Sequence, residues 1–298
     1  MLDFEESDLE PEGWRRLRAV TVELDRRRSL DPELRASLAG ADCLLVQLGV
    51  AVTPELLAAA PRLRYVGVFG TSTGRIDALA SRRGIVVRNV PGFSTEAVAE
   101  LAIAIALDHL RDLCSARRRA ARGDLSEPAA HGRELRGRRV GVLGLGAIGR
   151  RVAEIMSRGF GADVCAWSRT PRPETGIPHL GLDPLLERSE LVFVHVALTP
   201  ETRGLLHAER IARLERGALF VLLAPPELCD VPALIARATE GSLFLATDHG
   251  DEMDAADLEA LRGLEACALY PPIGYGTREA RTARAERFLA EIEGFLRT

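Results

Sequence analysis

The chain has 298 residues, 47% hydrophobic and 28% charged, with a net charge of −4, which suits a globular protein with room for two cores. That charge gives no reason to expect nucleic acid or an anionic membrane as a partner, and the cysteines at 43, 114, 165, 229 and 267 form no CxxC pair, as suits a reducing, cytoplasmic setting. All 39 basic residues are arginine, which excludes lysine Schiff bases and lysine general bases.

The first ten residues, MLDFEESDLE, are acidic and unlike a signal peptide. Arg18–Glu23 and Cys43–Leu48 read as short buried strands on either side of a helical pattern at Asp31–Leu38. A helix at Pro54–Ala60, a strand at Tyr65–Phe69, a loop from Gly70 to Gly74, a helix at Ile76–Arg82 and a strand at Ile85–Val87 follow. Alternating strands and helices predict a first open α/β sheet within roughly 90 residues. The turn Asn89-Val90-Pro91-Gly92 ends it, and a turn role accounts for Asn89, the only asparagine of the chain. Ser94 or Thr95 is the expected cap of a long apolar helix, Glu96–Leu113. Its apolar run Ala97–Leu107 is interrupted by Glu100 and reads as buried helix, not membrane span. Arg117–Glu134, basic and alanine-rich, reads as a solvated connection.

A second α/β unit opens at Arg139. The apolar strand Val140–Leu143 runs into Gly144-Leu145-Gly146-Ala147-Ile148-Gly149 and a helical pattern, Arg150–Phe160, with the next strand at Asp163–Trp167. This is the strand–turn–helix of a dinucleotide-binding unit. Gly144 permits the tight turn, Gly146 lets backbone approach a pyrophosphate, and Gly149 lets the helix pack against the strand. Further strands are expected at Leu191–His195, Leu219–Leu223, Leu243–Ala246 and Ala268–Tyr270, with an amphipathic closing helix at Thr277–Leu296. At the end of the second fingerprint strand, where NAD-binding chains carry an acidic residue for the ribose hydroxyls, stand Ser168, Arg169 and Thr170. A guanidinium beside two hydroxyls receives a 2′-phosphate, so NADP(H) is expected in preference to NAD(H).

From about Leu63 to Ala280 the sequence resembles the D-2-hydroxyacid dehydrogenase family. The blocks that carry the likeness are LRYVGVFGTSTGRID, RRGIVVRNVPGFSTEAVAELA, ELRGRRVGVLGLGAIGRRVAE, SELVFVHVALTPETRGLL, LERGALFVLLA and YPPIGYGTREA, in the family's order. The resemblance implies an α/β protein of two doubly wound parallel-sheet domains, Rossmann-like and flavodoxin-like, with a cleft between them. Residues 1–95 and 273–298 would form the flavodoxin-like substrate domain, and residues 96–272 the Rossmann domain. It also implies hydride transfer between a nicotinamide and a small 2-oxo or 2-hydroxy acid, and a homodimer built on the long helix. Ala147 and Ile148 would present amides to the pyrophosphate, and Val196, Ala197, Leu223 and Ala224 would line the adenosine and nicotinamide sides. Asp248 would hold the carboxamide, and the amides of Gly70, Thr71 and Ser72 the substrate carboxylate. His195 falls in a block that lines the nucleotide side. No metal is implied.

The family's catalytic residues are absent. Pro225 stands where an arginine holds the substrate carboxylate, and Pro272 where a histidine moves the proton. The glutamate position, five residues past Asp248, is Met253, with Asp251 and Glu252 close by. Loss of the bidentate clamp predicts weak turnover of pyruvate-sized acids. His249, Tyr270 and Tyr275 are the nearby side chains able to carry a proton, and His249 and Tyr275 are the catalytic candidates. A loop histidine touching solvent, and a tyrosine filling vacated space, are the competing explanations. Arg75 and Arg278 read as ordinary surface arginines. Two functions stay open: a redox enzyme with a rebuilt proton donor, or a nucleotide-binding protein or non-redox enzyme on the same fold.

Overall fold

The computed structural model describes residues 1–73, 76, 78–128 and 132–297, which gather into two units: Met1–Ser94 with the segment from Thr277 onward, and Thr95–Gly276. Arg75 lies outside the described residues.

The first unit holds helices α1 (Pro11–Val20) and α2 (Leu34–Leu38), strand β1 (Cys43–Gln47), α3 (Pro54–Ala59), β2 (Tyr65–Phe69), α4 (Leu79–Arg82) and β3 (Val86–Arg88). The three strands are parallel in the order β1-β2-β3. Leu44, Val46, Val66, Val68, Leu57 and Ile85 fill one core, as expected for strands covered by helices. One local expectation fails here. Arg18–Glu23 is no strand: Pro11 occupies the first turn of α1, and the helix buries Gly13 together with Trp14 and Leu17, which lie one turn apart. Beyond the helix Val22 is fully exposed. The sheet is extended instead by the first residues, where Leu2 N–H donates to Leu45 O at 2.8 Å.

The second unit begins with α5 (Thr95–Arg111) and α6 (Leu113–Ala121), the latter falling partly where a connection was expected. No residue of α6 is buried, so its basic face is helical but uncovered. Then come β4 (Arg139–Leu143), α7 (Ala147–Glu154), β5 (Asp163–Trp167), α8 (Leu182–Arg188), β6 (Leu191–Val194), α9 (Ala208–Ala212), β7 (Ala218–Leu222), α10 (Val231–Thr239), β8 (Leu243–Thr247), α11 (Ala255–Leu261) and β9 (Cys267–Leu269). All six strands are parallel, in the order β5-β4-β6-β7-β8-β9. Alternate residues split between two cores: Val140, Val142, Phe193 and Val221 meet α5 and α7, while Leu143, Val192, Phe220 and Leu245 meet the helices of the other face. The sheet is doubly wound.

The last helix, α12 (Arg278–Leu296), returns to the first unit. Phe288 lies 4.9 Å from the ring of Phe69 and Phe295 4.7 Å from that of Tyr65. Among the described residues no helix is long and apolar enough to cross a membrane, and no three His, Cys, Asp or Glu side chains gather as metal ligands would.

Candidate active site

The site follows from strand register. In the second sheet Trp167, Leu143, Val194, Leu222, Thr247 and Leu269 stand in one row at the strand ends. The next residues, Ser168, Gly144, His195, Leu223, Asp248 and Tyr270, therefore emerge together at the carboxyl edge. β4 is flanked by β5 on one side and β6 on the other, so the winding reverses there, and open α/β sheets bind ligands outside that point.

Each glycine of the loop has its own reason. Gly144 has φ +92°, and a Cβ there would lie 2.5 Å from His195 O. Gly149 carries the tightest contact: a Cβ would stand 1.8 Å from Gly144 O. A Cβ on Gly146 would meet nothing within 4 Å, so the backbone is open to a ligand at this point. Gly146 is the N-cap of α7 and supplies no side chain to the first amides, which lack intrahelical acceptors. Those of Ala147 and Ile148 thus offer donors at the positive end of the helix dipole, which fits a pyrophosphate.

At the end of β5, Ser168 Oγ donates to Thr170 O at 2.7 Å, and Ser168 N–H approaches His179 Nε2 at 3.3 Å. Arg169 is exposed and reaches Glu201 only at 3.8 Å. Beyond β6, Thr202 Oγ1 donates to Ala197 O at 2.7 Å and accepts from Thr199 N–H, holding the loop after Val196 and Ala197 in place. His195 places both ring nitrogens out of contact with solvent, without a partner among the described residues, and burial lowers its pKa to about 4. It is a neutral ring beside the glycine loop. Leu223 and Ala224 are buried, so they form a wall.

The polar centre lies past β8. Asp248 is 4% exposed; its Oδ2 accepts the Gly274 N–H at 2.8 Å, and a Cβ on Gly274 would sit 2.8 Å from that same oxygen. Asp248 Oδ1 is buried without a hydrogen-bond partner among the described residues, which fits an amide donor arriving from a carboxamide. Burial raises the Asp248 pKa against the opposing charge of His249. His249 opens a 3₁₀ turn, Gly250–Glu252, in which side chains three residues apart eclipse. That turn brings Glu252 Oε2 to 3.3 Å from His249 Nδ1, while His249 Nε2 stands 3.6 Å from Asp248 Oδ1. Burial works to lower the His249 pKa, but the bond to Glu252 and the charge of Asp248 outweigh it, and the net shift is upward. The Glu252 pairing was not assigned from the sequence, although an i, i+3 His and Glu around a glycine is its signal.

Pro225, Met253 and Pro272 are the positions read above as substituted. Pro225 is extended and leads into a 3₁₀ turn, Met253 packs against the core under β8, and Pro272 is exposed. Tyr275 is 40% exposed, and Tyr270 packs against the α5 side of the sheet. Arg278 is exposed, as expected of a surface arginine. In the first unit, Gly70 N–H turns back to Val68 O at 2.9 Å, and Gly70 lacks a side chain where Leu48 would be struck at 2.8 Å. Asn89 does more than turn the chain: its Nδ2 donates to Thr71 O at 2.6 Å, tying down the loop that continues to Ser72.

Known proteins resemble this chain. The family model described as D-isomer specific 2-hydroxyacid dehydrogenase, NAD binding domain, matches residues 103–274. The chain is 34% identical over 254 residues to D-3-phosphoglycerate dehydrogenase of Mycobacterium tuberculosis, covering 84% of this chain but 48% of that one. It therefore spans about half the length of that relative. Hydroxypyruvate reductase of Thermotoga maritima is 31% identical over 255 residues, covering 84% of this chain and 83% of that protein. The structure of D-lactate dehydrogenase from Aquifex aeolicus, complexed with NAD and lactic acid, matches with a TM-score of 0.87 over 99% of this chain and 94% of that one. At 24% identity it speaks for a shared fold.

Proposed function

The chain belongs to the D-isomer specific 2-hydroxyacid dehydrogenase family, and from that premise we propose that it is an NADP(H)-dependent oxidoreductase of a small, non-standard substrate, with His249 moving the proton. The His249 imidazole, held between Glu252 and Asp248 at the carboxyl edge of the sheet, carries that assignment. The nicotinamide, when bound, supplies or takes the hydride. The chain's own residues then have distinct tasks. Gly144 to Gly149 receive the pyrophosphate, Asp248 orients the carboxamide, and His249 holds the proton for the substrate oxygen. The dinucleotide site belongs to the second unit.

NADP(H) is supported by a neutral Ser168 and by an exposed Arg169 whose loose pairing with Glu201 a 2′-phosphate can replace. Arg169→Asp is expected to weaken NADPH binding by about tenfold or more and to leave NADH binding nearly unchanged. Fluorescence titration with both cofactors reads this out, and an unchanged NADPH-to-NADH ratio would overturn the preference. A homodimer is supported by α6, which buries none of its residues, and by Leu113 and Leu125, 51% and 83% exposed. Five free thiols favour the cytoplasm.

The prolines at 225 and 272 favour a second reading, a cofactor-binding protein or non-redox enzyme. Following NADPH absorbance with a panel of 2-oxo acids, aldehydes, ketones and imines separates the two. Oxidation with any member supports the oxidoreductase; binding of NADPH with no oxidation across the panel favours the second.

A further inference from the structure

A histidine stands beside the residues assigned to the 2′-phosphate, and all the groups involved lie in the second unit. β5 is the edge strand of its sheet, and the chain returns to that edge after the turn Pro173–Thr175. Ala166 N–H donates to Pro178 O and Leu180 N–H to Ala166 O, both at 2.9 Å, so His179 is pinned on either side against the strand. Its ring reaches the backbone of Ser168: Nε2 lies 3.1 Å from Ser168 O and 3.3 Å from Ser168 N. A neutral ring satisfies one of these at a time, donating to the carbonyl or accepting from the N–H according to its tautomer. His179 is exposed, and its Nδ1 has no hydrogen-bond partner among the described residues. The charged side chains of the neighbouring segments are paired with one another. Arg169 reaches Glu201 and Arg172 reaches Glu174, each at 3.8 Å, and Asp183 at the start of α8 holds Arg210 at 2.9 Å.

We propose that His179 is a second, proton-switched cation of the 2′-phosphate site, beside Arg169. This deepens the NADP(H) reading and rests on it. The switch follows from the two ring nitrogens. In the neutral form that donates to Ser168 O, Nδ1 carries a lone pair and repels a phosphate oxygen. A proton taken from solvent leaves the Nε2–H bond to Ser168 O in place and turns Nδ1 into a positively charged donor, which suits a phosphate dianion. Binding of the 2′-phosphate and uptake of that proton therefore favour each other, and affinity for the phosphorylated cofactor follows pH.

Calorimetric titration with NADP and NAD between about pH 6.5 and 8.5, where the phosphate keeps its second charge and an imidazole loses its own, tests the assignment. In the wild type the ratio of NADP to NAD affinity is expected to fall about threefold to tenfold across that window. His179→Gln, which keeps a hydrogen-bonding group for Ser168 but carries no charge, is expected to hold the lower ratio at every pH. His179→Arg, charged throughout, is expected to hold the higher one. NAD lacks the 2′-phosphate and is the reference for an intact site in each protein. A preference for NADP that ignores pH, or that follows pH equally in the wild type and His179→Gln, would overturn the proposal and leave Arg169 as the cation of the site. Equal affinity for the two cofactors at every pH would overturn the NADP(H) reading and the proposal together.

Discussion

His249→Gln is expected to lower kcat for NADPH oxidation by about 10²–10⁴-fold while leaving NADPH binding intact. Glutamine keeps the size and polarity of the side chain but cannot carry a proton through the reaction. His249 directly follows Asp248, which shares a row with Gly144, and the turn Gly250–Glu252 fixes its orientation. Glu252→Gln leaves the imidazole in place, so a smaller loss of kcat is expected from it. Stopped-flow absorbance separates binding from the chemical step. Full turnover in His249→Gln would show that the proton comes from elsewhere, with Tyr275 the next residue to replace.

The second large effect belongs to the glycine loop. Gly149→Val places a branched side chain where even a Cβ lies 1.8 Å from Gly144 O, so helix α7 must move away from β4. A destabilisation of about 3 kcal/mol, the upper part of the range for overpacked cores, is expected, together with loss of NADPH binding. Gly146→Ala is the informative partner, because its Cβ meets nothing within 4 Å. It should melt with the wild type yet bind NADPH more weakly, since the methyl occupies space that the pyrophosphate needs. Thermal melts and fluorescence titration on the two variants decide this. Normal NADPH affinity in Gly146→Ala would mean that the dinucleotide approaches another way.

The second sheet was readable in the sequence because its strands are short apolar runs ended by glycine or polar residues. Once Val140–Leu143 and the glycine loop were placed, parallel register carried Ser168, His195, Leu223 and Asp248 to the same edge. The first unit was less legible. Arg18–Glu23 alternates like a strand, but Pro11 and the Trp14–Leu17 spacing make its first half, Arg18–Val20, the end of a helix. Likewise Leu113–Ala121 has the propensity for a helix but no apolar stripe to betray it, and none of its residues is buried. The packing of the first unit hides in non-local contacts, and the site in very local geometry. Arg284 meets Phe69 across 215 positions, through the return of α12, and no periodicity announces that contact. The His249–Glu252 pair depends on a single 3₁₀ turn; in an extended loop the same residues would point apart. The sequence also places Pro225 and Pro272, on which the proposal of a different proton carrier rests.

The pH dependence of kcat/KM for NADPH oxidation, measured on the wild type and Glu252→Gln, tests the rebuilt proton donor most directly. Reduction requires the protonated imidazole, and in the wild type the Glu252 bond and the Asp248 charge outweigh burial to raise its pKa. The rate is therefore expected to be flat at low pH and to fall as pH rises through that raised pKa. In Glu252→Gln the upward pull weakens, the pKa drops, and the descending limb is expected to move to lower pH. Coincident limbs in the two proteins, or a rate that rises with pH through this range, would contradict the assignment of His249 as the acid.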